Sequence, residues 1–311
     1  MTHIDEQFRQ VTEQLIRNSQ QSQAVERDRV FQPANLGNRA LVEQIISHLV
    51  LPGSRMEGYE NLRRLYRLAR EGKSCIILME HYSNFDLPCF FHLAERYEEG
   101  KAVTDSIVAM AGSKLNEESR FVLAFTEAYT RIVIYPARML TALEGTPEYE
   151  EARARSRDIN RSALREMIRL KYTGHIVLLF PAGTRYRPGK PETRQALLET
   201  DSYIKGFEYL VTVGIAGNTL RVDSSGNMEK DQPATDVMVY SVGPVTSTAE
   251  FRRAARASTP EGGDDAKRAV TRAVENEFDL RHKEAEAVRE PIVKALRDKG
   301  IDPVQFDFSG F

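Results

Sequence analysis

The period of the apolar positions changes along the chain. Near the N-terminus Ile4, Phe8, Val11 and Leu15 recur at three- and four-residue intervals, the spacing of one helical face. A polar gap follows over 18–28. Leu41, Val42, Ile45, Ile46 and Leu49 then predict a second helix over 38–51, stopped by Pro52-Gly53. A third helix is expected over 54–71, with Leu62, Leu65, Tyr66 and Ala69 as its stripe and Gly72 past its end. From there the pattern becomes short and continuous. Runs at 74–79, 106–110, 131–135, 175–180, 209–215 and 237–242 read as strands, the earlier ones buried on both faces. Between them Ile159, Ala163, Leu164, Met167 and Ile168 predict a helix that buries one side. From Asp264 onward Val270, Val274 and Phe278 form a narrow stripe in a charged helix. The polar, turn-rich stretch 217–234 reads as a surface loop, and 250–265 as a flexible connector.

Strands alternating with helices imply an α/β fold: a largely parallel or mixed central sheet flanked by helices. The expected organisation is an N-terminal helical segment over 1–52 and an α/β domain with C-terminal helices over 53–311.

Composition narrows the chemistry. The 43 basic and 45 acidic residues leave a net charge of −2, so nothing global favours nucleic acid and any anion site must be a local cluster. Cys75 and Cys89 form no C-x-x-C pair and no Cys/His metal spacing, so buried, reduced thiols are expected and no metal. No run approaches the ~20 apolar residues of a membrane-spanning helix. Residues 1–10 are polar and charged, unlike a secretory signal. The expected location is cytoplasmic, with any lipid met peripherally at the inner face of the membrane. The apolar face of 38–51 is one candidate for such contact, although faces of this kind more often pack on protein.

Two blocks carry candidate chemistry. Glu80-His81-Tyr82-Ser83-Asn84-Phe85-Asp86 directly follows a buried strand, where open α/β sheets place their ligands. Phe85, Leu87, Phe90, Phe91 and Leu93 suggest a helix with Asp86 in its first turn. A carboxylate there can take a proton from one ring nitrogen of His81 and leave the other as a base. Phe180-Pro181-Ala182-Gly183-Thr184-Arg185-Tyr186-Arg187 also follows a strand. Arg185 and Arg187 on an extended loop can flank one anion, and Gly183 lets the backbone approach it. Arg138, past the 131–135 strand, can join the same crevice. The 183–190 stretch is one residue too long for a P-loop and has Pro191 in place of the Ser/Thr; no G-x-G-x-x-G or G-x-S-x-G is present.

In this order the blocks resemble the glycerolipid acyltransferases, over 74–245, and most closely the soluble plastid-type glycerol-3-phosphate acyltransferases. His81 and Asp86 match the His-x4-Asp block. Met110-Ala111-Gly112-Ser113 resembles the Ala-Gly turn, Tyr135 to Arg138 the basic strand end, and Arg161 to Met167 the helix before the third block. Gly183 to Pro188 resembles Gly-Gly-Arg-Asp-Arg-Pro. The resemblance implies His81 as general base, Asp86 as its orienting partner, and Arg138, Arg185 and Arg187 on the substrate phosphate, with Gly183 and Thr184 forming the substrate loop. It implies glycerol-3-phosphate as acceptor, acyl-CoA or acyl carrier protein as donor, and no cofactor. Ala182 stands where most of the family has Glu, Met139 where the plastid-type has His, and the Pro of the fourth block is absent near Thr212. Two rivals follow: an acyltransferase acting on 1-acylglycerol-3-phosphate, and a catalytically silent lipid- or carrier-protein-binding module, for which Ala182 is the support.

Overall fold

The computed structural model describes residues 9–21, 24–223, 228–257 and 263–303, with Glu229 described by its backbone alone. Ile4 and Phe8 lie outside these residues. Eleven strands are present among the described residues: β1 Phe31–Gln32, β2 Arg55–Glu57, β3 Cys75–Met79, β4 Ile107–Gly112, β5 Arg131–Ile134, β6 Ile176–Leu179, β7 Tyr209–Ala216, β8 Leu220–Arg221, β9 Gln232–Pro233, β10 Val239–Val242 and β11 Thr246–Ser247. Nine form one sheet in the order β1-β5-β4-β6-β3-β7-β10-β2, with β11 pairing β7 off that path. The five strands β5, β4, β6, β3 and β7 run parallel, while β1 and β10 pair antiparallel at the flanks. Helices cover both faces, so the fold is the mixed α/β sheet expected from the alternation.

Both faces are apolar because consecutive side chains of the central strands point opposite ways. Cys75, Ile77 and Met79 of β3 enter one core with Leu62 and Leu65 of helix Tyr59–Arg70, Phe90 of helix Asp86–Ala94, and Ile45 and Ile46 of helix Leu36–Leu49. Ile76 and Leu78 enter the other with Ile159, Ala163 and Met167 of helix Tyr149–Leu170 and Val270, Val274 and Phe278 of helix Gly263–Arg297. Tertiary burial on two sides explains why β3 and β6 read as unbroken apolar runs instead of alternating ones.

The connectivity positions the crevice. After β3 the chain crosses to β4 and β5, then returns to insert β6 between β4 and β3. The residues after β3 and after β6 therefore leave neighbouring strands on the same sheet edge, and those after β5 leave it two strands away. Helix Gly263–Arg297 closes over β7 so tightly that a Cβ on Gly214 would lie 2.5 Å from His282 N and 2.6 Å from the Arg281 carbonyl carbon. Backbone cannot yield as a side-chain tip can. Gly214→Ala is expected to cost about 1–3 kcal/mol by overpacking, read as a lower urea midpoint; an unchanged midpoint would show that the helix rides free of the strand.

Several expected boundaries moved. The third helix begins at Tyr59 because residues 55–57 pair with β10 as β2. Leu164 and Ile168 do not share the buried side of helix Tyr149–Leu170; they are 51% and 48% exposed, since Ile159, Ala163, Met167 and Leu170 already fill that face. The 250–265 connector is in part helix Thr248–Ala255, with 258–262 outside the described residues. The 217–234 stretch is not simply a surface loop: Thr219, Leu220, Asp231 and Ala234 are buried, and β8 pairs β9 within it.

Candidate active site

Beyond Met79 the chain leaves the sheet, turns through 80–85 and enters helix Asp86–Ala94. The turn closes on the Asp86 carboxylate. Oδ2 accepts from Tyr82 N at 2.6 Å, Ser83 N at 2.9 Å and His81 Nδ1 at 2.9 Å, and Oδ1 accepts from Ser83 Oγ at 3.1 Å. Tyr240 of β10 donates its hydroxyl to the Asp86 carbonyl at 2.7 Å, fixing the helix start from below. With Nδ1 donating, Nε2 is the unprotonated nitrogen of a neutral ring; it has no hydrogen-bond partner among the described residues. The His81 side chain is 16% exposed and stacks on Phe180 at 4.0 Å between centroids.

Phe180 opens the second block, which is tied to the first. Tyr186 N donates to His81 O at 2.8 Å, so the 181–187 loop lies along the turn bearing the imidazole. Gly183 makes this possible with φ +59, a conformation that costs a side-chain-bearing residue energy. Arg138, from the short helix after β5, donates Nη2 to Gly183 O at 2.5 Å. Burial and then the neighbouring Arg187 guanidinium hold the Arg138 pKa below its ordinary value. Neither Arg138 nor Arg187 is paired with a carboxylate among the described residues, so this side of the His81 turn carries unmatched positive charge. Thr184 is half-buried in the same loop and Gly183 is exposed.

Arg185 differs. Its guanidinium turns inward to an ion pair with Asp231, the two side chains 7% and 0% exposed. Burial pushes the Asp231 carboxyl up, against the opposing pull of Arg185. The geometry thus brings together His81, Asp86, Gly183, Thr184, Arg138 and Arg187, and leaves Arg185 beside them with its charge already matched.

Sequence reasoning missed a second buried carboxylate. Glu80, 4% exposed, accepts from Ile215 N at 2.9 Å, Tyr82 Oη at 2.9 Å and Arg194 Nη2 at 2.8 Å. His282 lies 3.6 Å from it, and chiefly through Glu80 its pKa stands above the ordinary imidazole value. This network joins the His81 turn, the end of the basic loop and the C-terminal helix. One signal was available: His282 continues the four-residue series Val270, Val274, Phe278 onto the sheet-facing side. Arg194 and Asp231 carried none, because irregular segments position them.

Met79, Glu80, His81, Tyr82, Ala182, Tyr186, Arg194 and Phe278 bound a cavity of about 10 Å³. That is at the lower limit for one water molecule. This cavity therefore admits nothing larger than water unless the loops part. Among the described residues no group of His, Cys, Asp and Glu could hold a metal ion, and both cysteines are buried and free. No helix among the described residues is long and apolar enough to cross a membrane. No protein-family model matches the chain, and no curated protein matches it.

Proposed function

We propose that the chain is an acyltransferase that moves a fatty acyl group from an acyl thioester to a hydroxyl of glycerol-3-phosphate. The observation that carries this reading is the His81–Asp86 couple, with Nε2 unengaged, on the same sheet edge as the Arg138/Arg187 pair. The resemblance of these blocks to the glycerolipid acyltransferases supplies the reaction class.

In the proposed reaction His81 Nε2 takes the proton of the acceptor hydroxyl as its oxygen attacks the thioester carbonyl carbon. Asp86 stabilises the imidazolium that forms. The new ester C–O bond forms, the C–S bond breaks, and the imidazolium returns its proton to the departing thiolate. Each atom is accounted for without an acyl-enzyme. General-base assistance supplies about 10²–10⁴ in rate, and positioning of both substrates supplies much of the remainder. Arg138 and Arg187 hold the phosphate, which sets how far along the acceptor His81 reaches. Arg185 joins them only if the phosphate displaces Asp231.

Replacing Arg138 or Arg187 by Gln is expected to raise the KM for glycerol-3-phosphate about tenfold to a hundredfold, as loss of one charge-assisted hydrogen bond does, with little change in kcat. Equal KM values in both variants and the parent would remove the phosphate assignment. Purified protein assayed with glycerol-3-phosphate, 1-acylglycerol-3-phosphate and several acyl thioesters tests the reaction itself and separates the two acceptors. The closed cavity before His81 and the engaged Arg185 favour a second reading, a lipid- or carrier-protein-binding module without turnover. Thioester binding with no transfer to either acceptor would select it.

A further inference from the structure

Helix Tyr149–Leu170 carries on its outward face a pattern that neither the core nor the crevice uses. Leu164 and Ile168 lie one turn apart and are 51% and 48% exposed; Tyr172, in the turn just past the helix, continues the row at 55%. Single exposed apolar residues are ordinary. Three in one register are not, because each turn of the helix repeats the same cost of wetting hydrocarbon. Arg157, Arg161 and Arg165 occupy the same face at four-residue spacing, exposed and interleaved with the apolar row. None of the three pairs with a carboxylate among the described residues. The acids on or beside the face are Glu150 in its first turn, which pairs with Arg153 at 3.6 Å, and Asp158 at its margin; Glu166, farther round the helix, pairs with Arg169 at 2.8 Å. Lys171, 4.8 Å over the Tyr172 ring, donates its ammonium to Gly206 O at 2.6 Å and so is not part of this free charge. In a chain of net charge −2 this is a local excess of positive charge joined to an apolar stripe.

We propose that this face docks on an anionic lipid surface. Leu164 and Ile168 would enter the acyl boundary, Tyr172 would lie at headgroup depth, and the three arginines would meet lipid phosphates. Charge complementarity selects this occupant over a second copy of the chain, since a two-fold contact through this face would set arginines against arginines. A bilayer offers hydrocarbon and phosphate at every point. It therefore matches alternating aliphatic and guanidinium groups without needing a shaped pocket for each.

The test is flotation of the full chain with vesicles of phosphatidylcholine alone or mixed with phosphatidylglycerol. It reads binding, not turnover, so it stands apart from the chemistry proposed at His81. The protein is expected to float only with the anionic vesicles. Changing Arg157, Arg161 and Arg165 together to Gln is expected to weaken partition about a hundredfold, at the usual worth of a cation near such a surface. Leu164→Ser with Ile168→Ser should weaken it similarly, and both sets leave the core intact, which thermal melts check. Failure of the parent to float, or flotation that neither set alters, overturns the proposal. So does a parent that ignores vesicles but captures an acidic acyl carrier protein through these residues, which would make the face a protein-docking one.

Discussion

His81→Ala is expected to lower acyl transfer to glycerol-3-phosphate by about 10²–10⁴ while leaving the fold in place. The two halves of that expectation have separate causes. His81 provides only one of the four donors that hold the Asp86 carboxylate; Tyr82 N, Ser83 N and Ser83 Oγ remain when the ring is gone. The turn therefore survives, and what is lost is the unengaged Nε2. Asp86→Ala is the less informative variant, because it strands two backbone N–H groups as well as the imidazole, and buried unpaired donors each cost about 1–3 kcal/mol. Initial rates with an acyl thioester, set beside a thermal melt, distinguish the cases. Near-parental turnover from a folded His81→Ala protein would end the general-base assignment.

Arg185→Ala is expected to be the most destabilising single change near the crevice, by about 3–5 kcal/mol, because it leaves a buried carboxylate without its partner. Asp231 is fully buried beneath the loop, and its carboxyl is already pushed up by that burial. Without Arg185 its folded pKa rises further above the unfolded value. A group shifted in that direction supports the fold while protonated, below its unfolded pKa, and that support is lost as pH rises through the folded pKa. The deficit of Arg185→Ala should therefore be smallest in acid and grow toward neutral pH. Arg185→Met combined with Asp231→Leu removes both charges and should recover most of the loss. Urea unfolding at several pH values reads all three forms. A variant whose deficit ignores pH, or a double variant no better than the single, would contradict the ion pair's structural role. A rise in KM confined to Arg185→Ala and absent from the double variant would likewise point to damaged folding and not to a lost phosphate contact.

How far the chain could be read ahead of its coordinates differs between the two halves of the crevice. The His81–Asp86 couple was legible because it is local: six residues of turn between a strand end and a helix start leave few ways to arrange them. The basic loop was legible only as a cluster. Which guanidinium faces outward depends on a carboxylate 46 residues later, in a stretch whose polar composition suggested a solvated loop. Leu164 and Ile168 failed for a related reason. Periodicity reports that one face is apolar, but here the apolar arc is wider than the space above the sheet, and part of it remains outside.

What the sequence determined by itself is the alternation of elements and the imidazole–carboxylate turn, set by interactions within about a dozen residues, while the unbroken apolar runs already marked strands destined for burial on two faces. What only the tertiary structure decided is which charges are spent on one another and which stay available. Arg185 is satisfied by Asp231 and Arg194 by Glu80, while Arg138 and Arg187 have no carboxylate partner among the described residues. Ion pairing depends on distance in space and on burial, and for partners 46 and 114 residues apart neither is encoded by local spacing along the chain.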